Sequence, residues 1–251
     1  MYRLNLEKFF EEYKSVALAF SGGVDSAYLL YMAIKAKIRV RAYYVKSDFQ
    51  PDFELKDAKR LSKELGADMK IIEMDVLENA DIARNPKDRC YYCKHEIFGT
   101  ILKVAKEDGF KVLIDGTNAS DSEADRPGMK AKSELKVLSP LRMAGLSKHD
   151  IRELSKEAGL FTWDKPSYSC LATRMEIDKK IDRDDLKRTE SAEDFMRDLG
   201  FSDFRIRNLN KGAKIQLRDG DFQRFFSKRA QIYKRLIRDY EFVVLDLEVR
   251  S

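Results

Sequence analysis

The chain has 251 residues, 43% apolar and 36% charged, a balance that excludes a disordered protein and leaves enough length for one large and one small core. Its 48 basic and 43 acidic residues give a net charge of +5, an excess too small to point to a nucleic-acid partner and equally suited to a small anionic substrate. No apolar run approaches the roughly 18 residues of a membrane span, and Met1-Tyr2-Arg3-Leu4 has no signal-peptide core, so a cytoplasmic protein without a membrane partner is expected.

Apolar strands alternate with helices through the first two-thirds. The pattern predicts a strand at 16–20, a helix over 27–37, a strand at 40–45, a helix over 53–65 and a strand at 69–74, then a helix over 94–108 and a strand at 112–115. Such alternation specifies an α/β fold, a parallel sheet with helices on both faces, whose ligands sit beyond the carboxyl ends of the strands. Past Cys170 the pattern changes: a helix over 183–199, strands at 204–209 and 214–217, a helix over 222–238 and a last strand at 242–247 make a smaller α+β unit. The expected division is 1–175 and 176–251, at a polar, unpatterned stretch.

Ser21-Gly22-Gly23-Val24-Asp25-Ser26 lies where the first strand runs into a helix. A strand, a tight glycine turn and a helix aim unpaired backbone N–H groups and the positive end of a helix dipole at one point, and that point favours an anion. The paired glycines let the backbone approach the anion, and the hydroxyls of Ser21 and Ser26 can donate to it. Asp25 fits beside phosphate if it organises the loop or shares a divalent cation with the phosphates, or it is a helix cap. The lysine and the spacing of a Walker loop are absent. A second turn, Asp115-Gly116-Thr117-Asn118, also follows a strand end, as a wall along a nucleotide or as an Asx turn.

Cys90, Cys93 and Cys170 are an odd count, which argues against a disulfide framework. The first pair sits in Arg89-Cys90-Tyr91-Tyr92-Cys93-Lys94 at a helix start, and Cys170 follows Pro166-Ser167-Tyr168-Ser169 with Arg174 close behind. Four readings stay open: structural zinc with His95 as fourth ligand, inert or redox thiols, one nucleophilic cysteine, or a 4Fe-4S cluster on three thiolates that leaves one iron open for sulfide. His149 carries no motif, and Trp163 reads as packing.

The hexapeptide resembles the SGGxDS loop of the PP-loop ATP pyrophosphatases. Together with Arg89–Lys94, Asp115–Asn118, Arg126-Pro127-Gly128 with Glu134, Ser139-Pro140-Leu141 and Lys165–Arg174, it resembles the LarE family of ATP-dependent sulfur transferases, from about Val16 to Gln216. The resemblance implies that ATP, with Mg2+, adenylates a carboxylate of a pyridinium dicarboxylate mononucleotide and that sulfur displaces AMP. It implies an ATP site from Ser21, Gly22, Gly23, Asp25, Ser26, Asp115, Gly116, Thr117, Asn118 and Arg126, with Asp25 and Cys170 catalytic. It further implies a 4Fe-4S cluster on Cys90, Cys93 and Cys170, and substrate contacts from Arg174, Glu193, Arg205 and Arg207. A small-molecule nucleotide substrate, sulfide or another sulfur donor, and a homo-oligomer follow as partners. Each position has a plainer reading: a solvated turn for Arg126, a solvated charged helix for Glu193, and an exposed strand face for Arg205 and Arg207. Where the family commonly reads Ala-Arg-Ile-Glu, this chain has Ala213-Lys214-Ile215-Gln216, losing a carboxylate and putting the acceptor in question. A tRNA base is the alternative acceptor, and a zinc-stapled nucleotide-binding module without sulfur chemistry is the alternative class.

Overall fold

The computed structural model describes residues 2–121 and 127–250. Among them the chain runs α1 (Tyr2–Glu12), β1 (Ser15–Ala19), α2 (Val24–Lys35), β2 (Arg39–Lys46), α3 (Asp52–Glu64), β3 (Met69–Glu73), α4 (Ala80–Ala83), α5 (Arg89–Glu107) and β4 (Leu113–Asp115). It continues through α6 (Pro127–Glu134), α7 (Pro140–Met143), α8 (Lys148–Glu157), α9 (Arg183–Asp198), β5 (Arg205–Leu209), β6 (Gly212–Gln216), α10 (Phe222–Leu236) and β7 (Val243–Leu245). Two compact units result, one from the residues up to Val76 with Asp88–Lys165, the other from Leu77–Lys87 with Pro166 onward. The second unit thus starts ahead of the change in sequence pattern and takes in a segment from the middle of the first.

In the first unit four parallel strands lie in the order β3-β2-β1-β4. From β1 the chain steps outward through α2 to β2 and through α3 to β3, then returns to the other side of β1 as β4, paired Ala17 with Leu113 through Ala19 with Asp115. The order therefore reverses between β1 and β4, and such a crevice is where open parallel sheets bind ligands. Side chains alternate across the sheet. Val16, Leu18, Ala42, Tyr44 and Ile114 face a core closed by Leu6, Phe10, Leu29, Leu61 and Ile151. Ala17, Tyr43, Val45 and Leu113 face a second core on Phe98, Ile101 and Ala105 of α5. A strand period of two buried on both faces is the two-layered cover expected of the sequence.

The second unit is a three-stranded sheet, β5 antiparallel to β6 and β6 parallel to β7. Ala192 and Met196 of α9 and Phe225, Ile232 and Leu236 of α10 cover it, with Ile206, Ile215 and Leu217 beneath. Leu77–Lys87 joins through main-chain bonds, Ile181 N donating to Ala83 O at 2.7 Å and Asp178 N to Asn85 O at 2.9 Å. Asn85 is buried with φ of 57°, and its amide donates to Glu176 O at 2.6 Å. Asparagine tolerates this left-handed backbone better than most residues and supplies the donor as well.

Replacing Asn85 by Ala removes both properties and is expected to destabilise the second unit by about 2–3 kcal/mol, with Gly costing less because it keeps the left-handed backbone. Urea unfolding followed by tyrosine fluorescence ranks the two variants.

Candidate nucleotide and cysteine sites

The turn after β1 is built as the sequence predicts. Gly22 has φ of 73°, and a β-carbon there would stand 3.1 Å from Ala58 Cβ and 3.3 Å from Ala58 Cα of α3. Both the backbone angle and the packing therefore call for glycine. Gly23 caps α2 in extended geometry, and no side chain of the cap residue takes up the N–H groups of the first turn. Ser21 and Ser26 brace the turn, their hydroxyls 3.1 Å apart, with Ser21 N donating to Ser26 Oγ at 3.3 Å and Ser26 Oγ donating to Gly23 O at 3.2 Å. Asp25 stands in the first turn of α2, where a carboxylate complements the dipole.

The second turn packs directly on the first. A β-carbon on Gly116 would meet Ser26 N at 2.8 Å and Asp25 C at 3.2 Å, so the absence of a side chain is what lets the two strand ends close up. Asp115 turns its carboxylate inward: it pairs with the buried Lys132 of α6 at 3.0 Å and accepts from Thr117 Oγ1 at 2.6 Å and Ser139 Oγ at 2.6 Å. Lys132 also donates to Thr117 Oγ1. Asn118 forms an Asx turn, its Oδ1 accepting from Ser120 N at 2.8 Å, while its amide donates to Asp25 Oδ1 at 3.4 Å. On the other side of Asp25, Lys148 Nζ lies 2.5 Å from Oδ2. Arg126 lies outside the described residues.

Lys132 and Lys148 were not anticipated. The start of α8 carries a local signal that the sequence reading passed over, Ser147-Lys148-His149-Asp150, a capping box in which Ser147 Oγ accepts from Asp150 N at 3.2 Å and Asp150 Oδ2 accepts from Ser147 N at 2.9 Å. The Ser147 hydroxyl, donating to Asp150 Oδ2 at 2.6 Å, and the Ser147 N–H hold the Asp150 carboxyl below the ordinary carboxylate range. No local signal says that the intervening lysine reaches a loop 123 residues earlier.

Helix α5 begins at Arg89, earlier than the expected start, so Cys90 and Cys93 are both inside its opening turns, three residues apart and hence on one face. Cys90 is exposed and Cys93 half-buried, and neither is in a disulfide. Among the described residues no three His, Cys, Asp or Glu side chains form a group arranged to hold a metal ion.

In the second unit Cys170 is half-buried and immediately precedes a single helical turn, Leu171–Arg174. Arg174 has only 1% of its surface exposed and Glu193 none. They pair at 2.8 Å, and the remaining arm of the guanidinium donates to Ser169 O at 3.0 Å, Ser169 Oγ at 2.9 Å and Thr173 Oγ1 at 2.7 Å. Glu193 also accepts from Tyr168 Oη at 2.6 Å and from Ile206 N at 3.1 Å. A solvated Glu193 is therefore not what the fold contains: α9 turns it inward, beneath the Cys170 loop. Burial, reinforced by the Glu193 charge, pushes the Tyr168 phenol well above its ordinary value. Arg205 donates to the carbonyls of Phe204 at 2.6 Å and Ser167 at 2.7 Å, and Arg207 to Thr173 O at 2.6 Å and Gln216 Oε1 at 2.5 Å. Burial, helped by the like charges of Arg174 and Arg250, pulls Arg205 down to about 10 and Arg207 in the same direction. Four sequence-predicted residues thus converge on one loop, the one that carries Cys170.

Gly116→Ala is expected to push the two turns apart, costing about 1–3 kcal/mol of stability and weakening ATP binding; urea titration and calorimetry measure the two effects. Arg174→Met leaves the buried Glu193 with only the more distant charge of Arg197, at 3.8 Å, a loss of about 3 kcal/mol, whereas Glu193→Gln keeps an acceptor and costs less. Mass-mapped iodoacetamide labelling should show Cys170 reacting faster in Arg174→Met than in the unaltered chain.

Residues 14–85, which contain the glycine turn, match the family of queuosine biosynthesis protein QueC. The pyridinium-3,5-bisthiocarboxylic acid mononucleotide synthase of Lactiplantibacillus plantarum is 33% identical over 242 residues, spanning 94% of this chain and 87% of the relative. An uncharacterised protein of Synechocystis sp. is 32% identical over 251 residues, 97% and 92% of the two chains, and one of Methanocaldococcus jannaschii is 31% identical over 247 residues, 98% and 94%. With a glycine turn of PP-loop form at the switch point of its sheet and this likeness along nearly its whole length, the chain belongs to the LarE family of PP-loop, ATP-dependent sulfur-transferring enzymes.

Proposed function

We propose that the chain adenylates a carboxylate of a pyridinium dicarboxylate mononucleotide and replaces the AMP with sulfur, as the name of the Lactiplantibacillus relative suggests. The observation that carries the reading is the glycine turn with Asp115–Asn118 closed against it, at the point where the strand order reverses. In the first step a carboxylate oxygen of the acid attacks the α-phosphorus of ATP and the bond to pyrophosphate breaks. In the second, sulfide attacks the acyl carbon, the bond to AMP breaks, and a thiocarboxylate is left.

The chain's contributions to the first step are electrostatic. The N–H groups at the start of α2, which no cap side chain takes up, receive the charge that builds on the phosphates, in a preorganised position. PP-loop membership implies Mg2+, which would supply charge neutralisation to the phosphates; Asp25 is the carboxylate in the turn whose chemistry suits it. Ser21, Gly22, Gly23, Ser26, Thr117 and Asn118 are proposed to line the nucleotide, with Gly116 setting their spacing and Asp115 holding the second turn.

For the sulfur, three thiols are available, and soft thiolates are the donors that iron-sulfur clusters use. Cys90, Cys93 and Cys170 would hold a 4Fe-4S cluster, which with three protein ligands supplies an iron open to sulfide. Arg174 and Glu193 position the Cys170 loop. Arg205 and Arg207 are proposed to meet the anionic groups of the substrate.

Anaerobic purification is expected to yield a brown protein with about four irons per chain, as a three-thiolate cluster requires, and the colour should be lost on changing any one of the three cysteines to Ala. Incubation with ATP, Mg2+, sulfide and the mononucleotide acid should exchange oxygen for sulfur on the nucleotide while Cys170 keeps its own sulfur. An iron-free protein after anaerobic reconstitution overturns the cluster, and loss of sulfur from Cys170 assigns that residue as a consumed donor instead.

A further inference from the structure

One face of the second unit's sheet carries charge that its core does not need. Strand alternation puts Arg205 and Arg207 of β5 on that face with Lys214 and Gln216 of β6, Arg207 directly opposite Lys214 and Arg205 opposite Gln216. Ile206, Ala213 and Ile215 take the other face and fill the core. Two cations opposed across a strand pair repel. What balances them is Asp246, the residue after β7, which pairs with Lys214 Nζ at 2.8 Å and accepts from Gln216 Nε2 at 2.8 Å. The other end of the same amide accepts from Arg207 Nε at 2.5 Å. A guanidinium only donates and a carboxylate only accepts, so the amide has one orientation here, oxygen to Arg207 and nitrogen to Asp246. A carboxylate at position 216 would also accept from Arg207, yet it would face Asp246 as a like charge at hydrogen-bond distance. Gln216 and Asp246 are therefore a matched pair. Asp246 is itself fixed, its N–H donating to Ile215 O at 2.8 Å and its Oδ1 accepting from Glu248 N at 3.3 Å. Lys214 and the Gln216 amide pull its carboxyl down to about 2, so it stays charged through the neutral range. Arg207 is thus held on one edge, Nε by Gln216 and Nη1 by Thr173 O at 2.6 Å, while among the described residues no acceptor takes Nη2. A guanidinium held on one edge and open on the other is disposed to bind an anionic oxygen.

Resting on the reading above, in which Arg207 meets an anionic group of the mononucleotide, we propose that Asp246 is a positioning residue for that contact: through the Gln216 amide it fixes the guanidinium with Nη2 free for the substrate. Asp246 touches no substrate itself.

The test is equilibrium titration of the full-length chain and its variants with the pyridinium dicarboxylate mononucleotide alone, and with ATP alone as a control. Asp246→Ala is expected to weaken the mononucleotide about 10-fold, the value of a hydrogen bond to a charged group, while ATP affinity stays the same. Asp246→Asn keeps an acceptor for Gln216 and should lose less, which covers the case in which alanine perturbs folding, checked by urea titration. Gln216→Glu sets two carboxylates side by side. One of them then binds a proton in the fold that the unfolded chain releases, so the stability of this variant relative to the unaltered chain should rise as pH falls from about 7 to about 5. Exchanging the pair, Gln216→Glu with Asp246→Asn, again sets a donor against each acceptor and should return mononucleotide affinity to within about 2-fold of its starting value. On an Arg207→Ala background, Asp246→Ala should change nothing further, because its route to the substrate is gone, whereas a merely structural role would persist there. Undiminished mononucleotide affinity in Asp246→Ala, an equal loss for ATP, or a loss that persists on the Arg207→Ala background would each overturn the assignment. A chain that binds the mononucleotide as expected yet neither consumes ATP nor transfers sulfur overturns the proposed reaction alone, and an unaltered chain that does not bind the mononucleotide overturns both.

Discussion

The pairing of β1 with β4 is the constraint on which the chemistry of the first unit depends. Parallel strands deliver their carboxyl ends to the same edge, and the register that sets Ala19 beside Asp115 brings two turns from distant parts of the chain into contact. The contact is close enough that a methyl on Gly116 would collide with the backbone of Ser26. A glycine in each turn therefore does different work: Gly22 supplies a left-handed backbone, and Gly116 supplies room.

Charge in this region is arranged in pairs that differ in burial. Asp115 and Lys132 are both buried, with hydroxyls of Thr117 and Ser139 completing the carboxylate's bonds, so they act as a fixed strut. Asp25 and Lys148 are partly open to water. The second unit uses the strut principle again. Arg174 and Glu193 are a buried pair whose further contacts run to the loop around Cys170, to Tyr168, to Arg197 and to the β5 backbone. Such a pair is costly to desolvate and owes its value to what it positions.

Much of the first unit was legible because its strands are short apolar runs bounded by glycine turns and its helices carry a buried stripe. The strands at 15–19, 39–46 and 69–73 sit within a residue or so of their expected places. Helices α1, α6, α7 and α8 were not foreseen. In α8 only Ile151 and Leu154 are large apolar residues among ten, too few for a periodic signal, although its capping box was present. The start of α5 was set too late because Arg-Cys-Tyr-Tyr-Cys has weak helix propensity, which packing of Phe98, Ile101 and Ala105 further along the same helix overrides. Glu193 was legible only as a charge on a charged helix, since the burial of one polar position in a helix is decided by the partner opposite it.

The sequence by itself determined the chemistry on offer: a glycine turn between strand and helix for phosphate, three thiols that do not pair, and alternating strands and helices that form a parallel sheet. Local geometry and side-chain chemistry suffice for those, because each is written within a few adjacent residues. Tertiary structure alone decided which strand neighbours β1, which lysine faces Asp25, and that Arg174 and Glu193 meet beneath the Cys170 loop. Those outcomes follow from packing between segments far apart in the chain, where burial and the pairing of charge depend on partners that no local pattern names.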